Sequence, residues 1–216
     1  MLKKSSKKLY IFDLDGTLVD AYRAIEKSLN FTLKKLGYPT VSYSKVKRSV
    51  GKGDRPFIQT FFKNKDIDKA LDIYRKNHKK TLLVYSKLTL GAKSLLFKLK
   101  QRNKIIAIAS NRPHYFTNLI LKKLGISKYI DGVWCADKVG LRKPHPKIIN
   151  LILKEFKVKR DEAVYIGDMD IDLETAKRAK ISAIFVKNGS SPLSVVRKYK
   201  NKKVVSSIID VIKIYP

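Results

Sequence analysis

Cysteine is almost missing from this chain. The one residue present, Cys135, rules out an internal disulfide and suits a reducing compartment. It sits in a short apolar run, Gly132-Val133-Trp134-Cys135-Ala136, and so reads as a buried, inert thiol. Long apolar runs are missing too, since none approaches the roughly 20 residues of a membrane span. The basic start, residues 1–8, imitates the head of a signal peptide, but the apolar run behind it is short and broken by Asp13 and Asp15. A cytoplasmic protein with no membrane partner is therefore expected. Histidine is scarce, and His78, His114 and His145 show no metal-ligand spacing. Glutamate is confined to Glu26, Glu155, Glu162 and Glu174, so the joint Lys and Glu enrichment of hyperthermophiles is absent.

Negative charge is in short supply. Lys plus Arg number 48 against 18 Asp plus Glu, a formal net charge of +30. Such a field attracts anions: phosphorylated metabolites, nucleic acid or acidic membranes. The basic residues run through the whole chain and are denser at 3–8, 63–80 and 197–203. That spread reads as a solvated surface more readily than as a polyanion patch. Aromatic residues suited to base stacking are not interleaved with the basic runs. A small phosphorylated metabolite is the expected partner, and nucleic acid stays open without being favoured. A monomer or a homodimer is expected.

The 216 residues are 44% hydrophobic, enough for one α/β domain with an insertion or for two small domains. Apolar β-forming runs occur at 9–12, 105–109, 133–136, 163–166 and 183–186, with an edge strand at 204–205. Helical spacing fills the gaps at 116–124, 147–156, 173–179, 193–199 and 208–212. This alternation predicts a parallel sheet with right-handed crossovers. The gap between the first two strands is far longer than one crossover helix needs. It carries helical patterns and no convincing strand: Ala21, Ile25, Leu29, Leu33 and Leu36 closed by Gly37, then Val46 and Val50, then 56–62, then Ile67, Leu71 and Tyr74, then Leu82 and Leu83. The expected organisation is an α/β core at 1–19 and 88–216 with a helical domain inserted at 20–87.

The strand ends carry the chemistry. The first strand runs into Asp13-Leu14-Asp15-Gly16-Thr17-Leu18-Val19-Asp20, the second into Ser110-Asn111-Arg112, and the fourth into Gly167-Asp168-Met169-Asp170-Ile171-Asp172. Lys143-Pro144 stands just before a helix. Singly, each has a plain structural role. Asp13 or Ser110 could cap a helix, Asp-Gly could make a hairpin turn, and Asp172 could sit favourably in a helix's first turn. Neither Asp-x-Asp run is a calcium loop, because the required Gly and Glu positions hold Leu18 and Ala24 in one, Leu173 and Ala179 in the other. Parallel strands would bring all these groups to one rim. Carboxylates, a hydroxyl and an ammonium converging there fit a metal-assisted phosphoryl site.

With these four motifs in their order, the chain resembles the haloacid dehalogenase-like hydrolase superfamily. It is most similar to the branch with a helical cap after the first strand, typified by phosphoglycolate phosphatases. The resemblance covers essentially the whole chain; Met169 departs from it, standing where phosphatase relatives usually carry Ser. It implies a Rossmann-like core and a phosphatase for small phosphate monoesters working through an aspartyl-phosphate. It makes Asp13 the nucleophile and Asp15 the acid and base, an aspartate that dehalogenase relatives lack. It has Ser110, with Asn111 and Thr17, bind the phosphoryl group and substrate, and Lys143 neutralise both nucleophile and transferring group. It gives Mg²⁺ as cofactor, with Mn²⁺ a substitute, held by Asp13, the Asp15 carbonyl and Asp168, with Asp172 acting through water or on Lys143. It also has the turn Gly51-Lys52-Gly53-Asp54-Arg55 face the site, where Lys52 and Arg55 would grip a second anionic group or serve as plain solvated charges. A phosphomutase of the same branch and a nucleic-acid end-phosphatase remain alternatives.

Overall fold

The computed structural model describes residues 7–187, 189–199 and 202–215. The chain enters through strand β1 (Leu9–Phe12) and a turn, and reaches a two-residue strand, β2 (Val19–Asp20). Four helices follow: α1 (Tyr22–Lys35), α2 (Tyr43–Ser49), α3 (Asp54–Gln59) and α4 (Ile67–Tyr85). A second two-residue strand, β3 (Lys87–Leu88), pairs antiparallel with β2. The chain then alternates. Helix α5 (Ala92–Gln101) leads to β4 (Ile105–Ser110), α6 (His114–Lys123) to β5 (Gly132–Cys135), and α7 (Ala136–Val139) with α8 (Lys147–Glu155) to β6 (Ala163–Gly167). Helix α9 (Asp170–Arg178), β7 (Ser182–Val186), α10 (Leu193–Val196), β8 (Lys202–Val205) and α11 (Val211–Ile214) complete it.

Six strands form one parallel sheet in the order β5-β4-β1-β6-β7-β8. Over β1, β4, β6 and β7 both faces are buried, which is why those strands read as unbroken apolar runs. Alternation still sorts the side chains. Tyr10, Phe12, Ile106, Ile108, Val164 and Ile166 pack on one face against Leu95, Leu96 and Leu99 of α5 and Phe116 and Ile120 of α6. Leu9, Ile11, Ala107, Ala109 and Tyr165 pack on the other against Ile148, Ile149 and Ile152 of α8 and Leu173 of α9. The chain is thus α/β with helices on both sides of a parallel sheet, as the alternation foretold. Cys135 is fully buried beside Thr117, and burial pushes its thiol up to about 12, so it is an inert core group.

The helices between β2 and β3 build a third, separate apolar cluster. Ile25, Leu29 and Leu33 of α1 face Ala70, Leu71 and Tyr74 of α4, with Val46, Phe57 and Ile58 completing it. Helix α1 stops where Gly37 adopts a φ of 74°, and the N–H groups of Gly37 and Tyr38 take the carbonyls of Lys34 and Leu33 at 3.2 and 2.9 Å. Lys34 and Lys35 lie favourably in that last, electronegative turn.

Three features differ from the sequence expectations. The separate patterns around Ile67 and Leu82 are one continuous helix, α4, because no breaker lies between them. The helix expected at 193–199 ends at Val196. The β2–β3 ribbon was not expected, since each strand is two residues long and its partner is distant in sequence.

The buried seam of α1 gives a stability contrast. Leu29→Ala should lower the unfolding free energy by about 3 kcal/mol through lost transfer energy and a residual cavity. Phe31→Ala, on the exposed side of the same helix, should stay within about 0.5 kcal/mol. Urea denaturation of both variants checks this, and equal losses would contradict the packing described.

Candidate active site

Register decides which residues meet. Phe12 lies opposite both Ile108 and Ile166, so the residues just past β1, β4 and β6 emerge at one margin of the sheet. Strand order reverses between β1 and β6, and such reversals open a crevice at the carboxyl ends of strands. The Asp13 N–H anchors the exit from β1 by donating to the Ile166 carbonyl at 2.9 Å. Gly16 then turns the chain at a φ of 86°. A Cβ there would lie 2.2 Å from Tyr22 Oη and 2.3 Å from Asp168 Oδ2, so the position admits only glycine.

Lys143 is buried at the centre of this margin. Its ammonium donates to Asp13 Oδ1 at 2.8 Å, Asp172 Oδ1 at 2.7 Å and Tyr165 Oη at 2.9 Å, which uses all three of its protons. Burial alone would lower its pKa, but the charges of Asp13 and Asp172 prevail and hold it well above the ordinary lysine value. Tyr165 passes its own proton to the Ala109 carbonyl at 3.0 Å. Asn111 fixes the lysine's backbone, its Oδ1 accepting from the Lys143 N–H at 2.8 Å. Asp172 occupies the first turn of α9, where its second oxygen accepts from the Met169 N–H at 3.0 Å.

Asp168 is wholly buried. Its oxygens accept from Thr17 Oγ1 at 2.8 Å, the Ser190 N–H at 2.9 Å and Tyr22 Oη at 3.3 Å. Burial, with the charge of Asp172 added, pushes its carboxyl up to about 7 in spite of those donors. Burial likewise drives the Asp13 carboxyl well above the usual range; Lys143 opposes the shift, while Asp172 and Asp168 add to it.

Oxygen atoms of Asp13, Asp168 and Asp172 all lie within 4.8 Å of one another. With all three carboxyls ionised, the one ammonium of Lys143 would leave two negative charges in a dry site, which a divalent cation would balance. The donor set is all oxygen, the kind that magnesium and manganese prefer. These residues therefore fit such an ion and could hold it.

A cavity of about 70 Å³ opens over Asp13. Asp15, Ser110, Asn111 and Lys143 line it from the core. Phe57, Tyr74 and His78 line it from the inserted helices. Ser110 Oγ accepts the Arg112 N–H at 3.1 Å, and Asn111 Nδ2 reaches across to the Gly51 carbonyl at 2.8 Å. Met169 also lines the cavity, and its Cε would lie only 2.5 Å from a Cβ on Gly51.

Three residues expected at the substrate do not line this cavity. Arg55 is exposed and bonds Asp68 of α4 at 2.7 Å, outside the cavity. Lys52 is exposed and lines an outer groove with Pro192 and Lys198. Thr17 is buried behind Asp168, which it supports by its hydrogen bond. His145 stays exposed, accepting from the Lys147 N–H.

Other groups carry weight that the sequence did not single out. Arg112 makes a two-pronged contact with Asp15, Nε to Oδ2 at 2.8 Å and Nη2 to Oδ1 at 2.7 Å, and its Nη1 lies 2.9 Å from His78 Nε2. His78 did carry a signal: it stands on the apolar stripe of α4 in step with Leu71 and Tyr74. Tyr22, Tyr165 and Ser190 had none, since their partners lie far along the chain.

The family model for haloacid dehalogenase-like hydrolases matches residues 10–186. A phosphoglycolate phosphatase of Aquifex aeolicus is 31% identical over 172 residues, covering 80% of this chain and 81% of that protein. One from Colwellia psychrerythraea is 30% identical, covering 85% of each. Among solved structures, a predicted phosphoglycolate phosphatase from Haemophilus somnus superposes with a TM-score of 0.91 at 23% identity, over 97% of this chain and 98% of that one. A predicted phosphatase from Clostridium acetobutylicum gives 0.85 at 25% identity, over 97% and 98%. With a family match spanning the sheet from β1 to β7, this chain belongs to the haloacid dehalogenase-like hydrolases.

Proposed function

We propose that the protein is a divalent-metal-dependent phosphatase that hydrolyses a small phosphate monoester through an acyl-phosphate on Asp13. The observation that supports this most directly is the buried cluster of Asp13, Lys143, Asp168 and Asp172 beneath a cavity of about 70 Å³. Relatives about 30% identical over most of the chain carry the name phosphoglycolate phosphatase, so phosphoglycolate is the first ester to test. The inserted helices serve as the cavity's cap.

Asp13 Oδ1 is held by Lys143, and the carboxylate attacks phosphorus, forming a P–O bond as the ester P–O bond breaks. Lys143 steadies negative charge on the nucleophile and on the transferring group. Ser110 and the N–H groups around it bind the phosphoryl oxygens. Asp15, at the cavity wall, enters this step as the carboxylic acid and gives its proton to the departing alkoxide, and Arg112 pairs the carboxylate left behind. Asp15 then takes one from the water that attacks the acyl-phosphate, which restores Asp13 and frees phosphate. Asp13, Asp168 and the Asp15 carbonyl would hold Mg²⁺, with Asp172 behind them. Once bound, the ion would screen the clustered charge and keep Asp13 ionised.

Phosphate release with Mg²⁺, screened over phosphoglycolate, sugar phosphates, nucleotides and p-nitrophenyl phosphate, tests the activity. No release from any ester would refute it, and interconversion of sugar phosphates without release would indicate a mutase. Asp13→Asn should cut turnover by at least about 1,000-fold while leaving the circular dichroism spectrum intact. Mg²⁺ at about 100 times its dissociation constant should stabilise the protein by roughly 2.7 kcal/mol, read as a raised melting temperature. That shift should vanish in Asp168→Asn; if it persists, the ion is bound elsewhere.

A further inference from the structure

His78 is the one histidine among the described residues that is buried, and the mechanism above leaves it without a task. It comes from α4, in the inserted helices, and meets Arg112, which follows β4 in the core. A guanidinium has no acceptor, so at the 2.9 Å contact Arg112 Nη1 donates and His78 Nε2 accepts. The imidazole proton is therefore on Nδ1, 3.1 Å from Ser28 Oγ. Ser28 in turn donates to the Ala24 carbonyl at 2.9 Å, so the chain of donors ends on the backbone of α1. Burial, with the neighbouring charge of Arg112, keeps the ring well below the usual histidine range, in agreement with a neutral acceptor. The ring is clamped as well, stacked on Tyr74 at 4.9 Å and edge-on to Phe116 at 5.2 Å. Tautomer and orientation are both fixed.

The other two prongs of Arg112 hold both oxygens of Asp15, at 2.8 and 2.7 Å. One guanidinium thus joins a histidine of the inserted helices to the carboxylate assigned to proton transfer. We propose that His78 is a positioning residue for Asp15, acting through Arg112, so that the proton-transfer carboxylate is set in place only while α4 is seated on the core. This rests on the phosphatase reading for Asp15. A histidine that merely filled space between Tyr74 and Phe116 would leave the same packing but no link to leaving-group chemistry.

The test separates those roles by leaving group. An alkyl phosphate needs a proton on its departing oxygen far more than p-nitrophenyl phosphate does. His78→Phe keeps an aromatic ring and removes the acceptor. Its loss in kcat on phosphoglycolate should exceed its loss on p-nitrophenyl phosphate by about tenfold. His78→Gln, whose amide oxygen can accept from Arg112, should recover most of the difference. Equal losses on both esters, or no loss on either, overturn the proposal. A second readout needs no turnover and no variant: the ¹⁵N shifts of His78 in the full-length protein should show a neutral ring protonated on Nδ1, and a ring protonated on Nε2 overturns it. If the wild-type protein hydrolyses another alkyl ester of the screen instead, that ester takes the place of phosphoglycolate; if it hydrolyses none, the phosphatase reading fails, and the nitrogen shifts decide the Arg112 contact independently.

Discussion

A buried ammonium ringed by acceptors holds this structure's chemistry together. Lys143 gives its three protons to Asp13, Asp172 and Tyr165, and each acceptor arrives on a different part of the sheet margin. Two carboxylates could not be buried so closely without a cation, and a lysine could not be buried without carboxylates. The cluster is therefore self-consistent only when β1, β6, α9 and the loop before α8 are all assembled. The sheet's register supplies the pairing that makes these charges tolerable.

The inserted helices meet the core through apolar contacts, Ala24 and Leu82 packing into its cluster, and through polar contacts at that margin. Asn111 illustrates this. One end of its amide fixes Lys143, and the other reaches the Gly51 carbonyl in the turn between α2 and α3. Tyr22, at the start of α1, contacts Asp168 and Ser190 in a similar way. Residues beside the candidate metal ligands thus also report where the insertion sits.

Much of this was legible before any coordinates. The sheet could be read because strands buried on both faces lose their polar alternation and show as plain apolar runs. The core of the site could be read because parallel strands deliver their last residues to one edge, so Asp13, Ser110, Lys143 and Asp168 could be grouped from position alone. What stayed hidden depends on pairings that a linear sequence does not order. Arg55 was read either as a grip on an anion or as a solvated charge, and it stands exposed beside Asp68 of the next helix. Thr17 was expected at the substrate, but the tight turn at Gly16 directs it behind Asp168. Arg112 stood inside a recognised motif and still gave no hint of its partners, since Asp15 and His78 come from opposite directions along the chain.

The short ribbon of β2 and β3 has a mechanical meaning. The chain leaves the sheet and returns to it through two strands bonded to each other, with Asp20 and Lys87 in contact beside them. Outgoing and incoming connections therefore share one narrow strap instead of being two separate tethers. Two crossings bonded to each other cannot shift independently, so the insertion is tethered to the sheet at one place rather than two.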